Sequence, residues 1–215
     1  MPDVRATFLA TLAVAADVFA RPEVGARWHE PSALAEFSVR GLSGHLVRAA
    51  GSVDAYLDRE EPPDHDVVDQ VRYYAAAVGR SEKFDVDAPL HQAIRQRGED
   101  AASGGWEALR ADFEALITSM TTRLADEPAT RRVRVYQDLV ITLDDYLVTR
   151  LIELVVHIDD LCVSVGVEPP PLPAPAMDAA IATLVGIARV QRGDLAVLRA
   201  LTRRERAHEG VLHVL

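Results

Sequence analysis

The sequence predicts an all-α fold, a four-helix bundle followed by a short C-terminal helical extension. Long segments carry apolar residues at intervals of three and four, which is the spacing of one face of an α-helix. Prolines and glycines fall between these segments, where helices begin or end. Four segments are long enough to form the core of a bundle, and they cover residues 4–20, 39–58, 105–125 and 143–165.

The first two helices are predicted from their apolar faces and their ends. Leu12 lies on the apolar face of the first helix, and Pro22 with Gly25 should close that segment. A loop over 26–37 should follow, anchored by Trp28 and Phe37. The second helix has an N-cap at Ser38, a face that includes Leu42 and Leu46, and a stop at Pro62 and Pro63.

The middle of the chain contains the third core helix. The pattern over residues 66–102 predicts a helix that is broken into shorter pieces. Gly104 and Gly105 then separate these pieces from the next helix. A clear apolar stripe begins at Trp106 and ends before Pro128. Its members are Trp106, Leu109, Phe113, Leu116, Ile117, Met120 and Leu124.

The fourth core helix has the clearest ends. A short extended piece is expected at 133–136, before the helix begins. Thr142 followed by Asp145 resembles a capping box, with Asp in the place of the usual Glu. The helix should run to about Val165, and Gly166 should end it in the left-handed conformation.

A proline-rich linker at 169–175 separates the bundle from the C-terminal residues. Beyond it we expect helices near 177–191 and 195–201 and a short strand at 211–215. The predicted domains are therefore a metal-binding bundle over 1–168 and, over 169–215, a linker with an extension that packs on the bundle.

Composition narrows the class of partner. The formal net charge is -10 and Lys83 is the only lysine, so the acidic surface argues against nucleic acid and against anionic membranes. No apolar run is long enough to span a bilayer, the N-terminal residues lack signal-peptide features, and Cys162 is a single cysteine. We expect a cytoplasmic protein. An apolar fraction near half, with apolar C-terminal helices, favours a homodimer.

Glu153 and His157 are the first candidate metal ligands. They are four residues apart in the fourth helix and therefore share one helical face. Both interrupt an apolar run, and zinc accepts carboxylate and imidazole donors alike. His45 is the best third ligand, because it lies beside the buried stripe of the second helix. A divalent metal, zinc by preference, is therefore predicted between the two helices.

Each of these residues also has a plainer interpretation. A single histidine such as His45 on an apolar face is often a hydrogen-bonded core residue, and a Glu-x-x-x-His pair is often a weak surface pair. However, the apolar neighbours of Glu153 leave little room for a solvated face. A buried carboxylate without a partner would be costly or would take up a proton, and a metal would remove that cost.

Four further features have open roles. Asp160 could orient the ring of His157, or be a solvated carboxylate. Arg150 could bind an anionic substrate or the carboxylate of a thiol cofactor, or form a structural ion pair. Cys162 points away from the face of His157 and is better explained as a small buried residue. The Arg203–Arg206 cluster is either a solvated face or an anion-binding edge. We assign no role to His29, His65, His91, His208 and His213.

Three stretches resemble one known family. They are WHEPS at 28–32 running into FSVRGLSGHL at 37–46, TRLIELVVHIDDL at 149–161, and the weaker GDLAVLRAL at 193–201. The sequence resembles the N-terminal domain of mycothiol-dependent maleylpyruvate isomerases, which are DinB-like metal-binding four-helix bundles. Asp159 stands where that family usually has a tryptophan. The resemblance implies zinc ligands at His45, Glu153 and His157, and mycothiol as the thiol cosubstrate.

Two functions from different classes follow. Three protein ligands leave an open coordination position, which is typical of a catalytic site. The first function is therefore an enzyme whose metal activates a low-molecular-weight thiol for isomerisation or S-transfer. The alternative is a non-catalytic metal-binding bundle that acts as a ligand-binding or interaction module. Thiol-dependent turnover separates the two.

Overall fold

The computed structural model describes residues 3–63, 66–78, 88–206, 208 and 210–214. The α-helices in these residues are α1 (Val4–Phe19), α2 (Pro22–Ala26), α3 (Val39–Leu57), α4 (Gln70–Val78), α5 (Pro89–Ala101), α6 (Trp106–Asp126), α7 (Leu143–Val165), α8 (Ala174–Arg192) and α9 (Asp194–Thr202). The strands are β1 (Val67–Val68), β2 (Arg132–Arg134) and β3 (Val140–Thr142). The residues His65 and Lys83 lie outside the described part of the chain.

The predicted all-α bundle with a helical extension is confirmed. Helices α1, α3, α6 and α7 pack side by side around one apolar core and are the four helices that the apolar spacing predicted. Helix α7 lies at the centre, where it contacts α1, α3 and α8. Fourteen of its 23 residues are buried, so any polar group on this helix needs a partner from another element.

The ends of the core helices follow local chemistry. The side chain of Ser38 accepts a hydrogen bond from the backbone N–H of Gly41, and that of Thr142 accepts one from Asp145. Gly166 ends α7 at φ 71°, in the left-handed region that glycine adopts without strain. The shorter Asp145 carboxylate accepts from the hydroxyl of Thr142 at 2.9 Å.

Several sequence predictions need correction. Pro22 opens the short helix α2 instead of only closing α1, because proline is favoured in the first turn of a helix. For the same reason α8 begins at Ala174, with Pro175 inside its first turn, so the linker is shorter than predicted. Residues 211–212 lie in a turn and residues 213–214 are irregular, so these residues do not form the predicted strand, and residue 215 lies outside the described part.

A small sheet lies beside the bundle. Its strand order is β1-β3-β2, with β1 parallel and β2 antiparallel to β3. Only β2 corresponds to a predicted extended piece. The other two strands have two and three residues, too few to show an alternating pattern.

A close helix crossing lies next to the candidate site. Helix α5 packs on α3 through Gly98, which faces Gly41 and Gly44, and a Cβ at Gly98 or Gly44 would clash with backbone oxygen of the other helix. A Cβ at Gly98 would also lie 3.3 Å from the backbone nitrogen of His45. Glycine is therefore required for α5 to approach the turn of α3 that carries His45.

The C-terminal helices pack in sequence. Helix α8 contacts α7 and α4, and α9 contacts α8. The division into domains at residue 168 stays a prediction. None of the described helices is long and apolar enough to cross a membrane.

Candidate metal centre

Three donor side chains meet between α3 and α7. His45 comes from α3, and Glu153 and His157 come from successive turns of α7. One donor atom from each residue lies within 4.8 Å of the other two. Their side chains are 14% to 21% exposed, so the cluster is partly covered but reachable from solvent.

The spacing of the donors suits one small ion. The Nε2 atoms of His45 and His157 each lie 3.4 Å from the Oε2 atom of Glu153. Two donors at tetrahedral positions around zinc, with bonds of about 2.0–2.1 Å, are roughly 3.3 Å apart. The two imidazole rings are nearly perpendicular, with centroids 4.9 Å apart. The chemistry of these donors and the two separations from Glu153 therefore fit a zinc-sized cation.

Asp160 lies where it can orient His157. Its Oδ2 atom is 2.9 Å from Nδ1 of His157, so an N–H at Nδ1 can donate to the carboxylate. In the neutral ring with its proton at Nδ1, the opposite atom Nε2 carries the lone pair that a metal would bind. A carboxylate behind a histidine in this way is the usual support of a metal-bound imidazole.

Arg150 is embedded in the protein. Its guanidinium lies 4.9 Å from the ring centroid of Tyr146 and 4.0 Å from Oε1 of Glu153, and its Nε donates to Thr149 Oγ1 at 3.0 Å. The residue is only 9% exposed. These contacts correspond to the structural ion pair more closely than to a free anion-binding group. A role in catalysis stays a prediction.

Tyr74 is a site residue that the sequence did not reveal. Its hydroxyl lies 2.9 Å from Oε1 of Glu153 and 3.0 Å from the backbone oxygen of Thr149. In the sequence, Tyr74 falls at helical spacing with Val71 and Val78 and looks like any core aromatic residue. Because Tyr74 and Glu153 are far apart along the chain, no local sequence pattern indicates that they meet.

Phe37, predicted as a loop anchor, lies with its ring 5.9 Å from that of His45.

The electrostatics of the cluster favour ionised groups. Burial alone would raise the pKa of Glu153, but hydrogen bonding by His157 and His45 and the charge of Arg150 hold that pKa well below its usual value. Burial would likewise lower the pKa of His157, but Asp160 and Glu153 raise it to about 9. At neutral pH a cation that binds Nε2 must therefore displace a proton from His157.

Cys162 lies apart from the three donors. It is fully buried, and burial raises the pKa of its thiol. Its position agrees with the expected small buried residue, since a raised pKa disfavours the thiolate that a metal would need.

An open groove is lined in part by Asp160, the partner of His157, and by none of the three donor residues. Its volume is about 540 Å³, and it lies between α7, the proline linker and the start of α8. Most of its wall is apolar, with Asp159 and Asp160 as the acidic members. The lining residues are Val155, Val156, Asp159, Asp160, Pro169, Pro170, Leu172 and Met177.

Comparison with known proteins identified one family. The family described as mycothiol maleylpyruvate isomerase N-terminal domain matches residues 9–162. This range includes the three donor residues and the contacting residues described above, which are Phe37, Tyr74, Arg150 and Asp160. Comparison with curated proteins and with solved structures found no match.

Proposed function

The chain belongs to the mycothiol maleylpyruvate isomerase N-terminal domain family, and from that premise we propose that it is a metal-dependent enzyme that uses a low-molecular-weight thiol. Its ligands are His45, Glu153 and His157, the metal is zinc, and the thiol is mycothiol. The observation that carries the proposal is the pair of 3.4 Å separations between one carboxylate oxygen and two imidazole nitrogens.

The donor set suits catalysis better than a purely structural role. Three protein donors leave a fourth position for a thiol, whereas structural zinc sites are closed by four protein ligands. A bound zinc ion would lower the pKa of a thiol and so supply a thiolate near neutral pH for isomerisation or S-transfer.

Residues around the three donors orient them and balance their charge. Asp160 holds the ring of His157 so that Nε2 faces the other donors. Arg150 balances the charge of Glu153 and, under this proposal, acts through that carboxylate. The groove beside Asp160 offers apolar walls for the organic part of the thiol or of its electrophile.

Metal analysis and thiol titration test the proposal in two stages. Purified protein should contain or take up about one zinc per chain, measured by elemental mass spectrometry. His45→Ala should lose that zinc, whereas His29→Ala, a change of an exposed loop histidine, should retain it. Absence of stoichiometric metal in the wild-type protein would overturn the proposed site.

The second stage separates the enzyme from a non-catalytic bundle. Mycothiol added to cobalt-loaded protein should produce a new thiolate-to-metal absorption band. Turnover of electrophilic substrates should then require both metal and thiol. Metal binding without any thiol band or turnover would favour the ligand-binding or interaction module instead.

A further inference from the structure

The two oxygens of the Glu153 carboxylate have different surroundings. Oε2 faces the imidazoles of His45 and His157, each at 3.4 Å. Oε1 lies on the opposite side, 2.9 Å from the Tyr74 hydroxyl and 4.0 Å from the Arg150 guanidinium. A carboxylate can give a metal one oxygen or two, so this asymmetry bears on the number of donors in the site.

We infer that Tyr74, supported by Arg150, confines Glu153 to a single donor oxygen and thereby makes the site selective for four-coordinate, zinc-like cations. The inference rests on the proposed metal site. Tyr74 is a positioning residue in this scheme, because it acts on the metal only through the carboxylate.

Tyr74 is held in place independently of any cation. It is 4% exposed, and its ring packs edge-on against Tyr73 with centroids 5.6 Å apart. Its hydroxyl is also 3.0 Å from the backbone oxygen of Thr149, one turn before Glu153 on the same helix. The hydroxyl has one proton for these two acceptors, and the ionised carboxylate is the stronger acceptor, so turning Oε1 toward a metal would break a charge-assisted hydrogen bond.

One donor oxygen changes which metals fit. With one oxygen and two imidazole nitrogens the protein supplies three donors, which suits zinc with one open position. A two-oxygen carboxylate would raise the coordination number and suit manganese better, since that ion prefers oxygen-rich octahedral sites. Supporting residues of this kind typically change metal affinity by about 10–100-fold when they are removed.

The test compares Tyr74→Phe with Tyr73→Phe in the full chain. Both changes remove one hydroxyl from a buried tyrosine of α4, but of these two hydroxyls it is that of Tyr74 that donates to Glu153. Cobalt-loaded wild-type protein and Tyr73→Phe should show the intense visible bands of four-coordinate cobalt. Tyr74→Phe should show the weaker bands of a higher coordination number. Its preference for zinc over manganese, from competition titration, should fall about 10–100-fold.

Each outcome has a distinct meaning. Unchanged cobalt bands and metal preference in a folded Tyr74→Phe protein would overturn the inference but leave the metal site standing. Failure of the wild-type protein to bind metal would overturn the proposed function instead. If Tyr74→Phe does not fold, a crystal structure of the zinc-loaded wild-type protein tests the inference instead. In that structure Oε1 of Glu153 should stay hydrogen-bonded to Tyr74. An Oε1 atom at bonding distance from zinc would overturn the inference.

Discussion

The helices α7 and α9 arrange polar and apolar side chains in opposite ways. Helix α7 buries Arg150 and largely covers Glu153 and His157 inside an apolar core. In α9 only Val197 is buried, while three leucines, Leu195, Leu198 and Leu201, are 56% to 58% exposed. One helix therefore covers its charges and the other exposes its hydrophobic residues.

The contrast shows that burial of a side chain on a helix depends more on the groups that contact it than on its residue type. The charged groups on this part of α7 are those of Arg150, Glu153, His157 and Asp160. Each of them has an opposite charge or a hydrogen-bond donor within 4.0 Å. These contacts offset the cost of covering charge. Three exposed leucines at intervals of three residues on one helix offer a surface that another molecule can cover. Four experiments, ordered by expected free-energy change, test this difference.

The largest effect is expected from Glu153→Gln. The covered charges of Arg150 and His157 would lose their common carboxylate, so the metal-free protein should lose about 3 kcal/mol of unfolding free energy. Zinc binding should be lost as well. Urea denaturation of metal-free protein measures the first effect, and a loss below about 1 kcal/mol would show that the cluster is not electrostatically coupled.

The second prediction concerns pH. Because the pKa of His157 is raised to about 9, protons compete with zinc below that pH. Apparent zinc affinity should rise about tenfold per pH unit, or 1.4 kcal/mol, and level off above pH 9. In the metal-free protein the stabilisation by protonated His157 should be complete below about pH 6.5 and disappear as pH rises through 9.

Chelator competition at fixed pH values measures the affinity. Asp160→Asn removes the negative charge beside Nδ1 and should move the plateau to lower pH, because that carboxylate helps to raise the pKa of His157. An affinity that stays flat between pH 6.5 and 9 would contradict the assigned protonation of His157.

A smaller effect is expected from Cys162→Ala. The thiol is buried away from the donors, so its removal should cost about 1 kcal/mol, as for one lost methyl-sized group, and should leave zinc binding intact. Thermal unfolding measures the change in stability, and metal analysis of the same sample measures whether zinc is retained. Loss of zinc from this variant would place Cys162 among the ligands.

The smallest change in stability is expected from Leu198→Gln. Since this leucine is 57% exposed, the free energy of unfolding of the single chain should change by less than about 0.5 kcal/mol. We propose, however, that the leucines of α9 pack against a second copy of the chain. Sedimentation velocity should then show a wild-type dimer and a Leu198→Gln monomer.

The matched control is Val163→Gln at the end of α7. Val163 is 60% exposed but lies outside α9, so this variant should stay a dimer. A wild-type protein of monomer mass would contradict the proposed association.

The amino-acid order alone was enough to predict the features that depend on neighbouring residues. Apolar spacing placed the four core helices, and the chemistry of Ser38, Thr142 and Gly166 placed three of their ends. It also placed Glu153 and His157 on one face, because four residues are close to one turn of a helix. These predictions needed no knowledge of how the helices pack.

Which distant groups meet became clear from the packing of the helices in three dimensions. The rotation and crossing of α3 and α7 bring His45 to Glu153, and the approach of α4 brings Tyr74 to the other oxygen of the same carboxylate. The stripe of α3 and the family resemblance had marked His45, but nothing in the sequence distinguished Tyr74 from a core aromatic residue. Local spacing determines the face of a helix, whereas the partner of that face depends on packing between elements far apart in the chain.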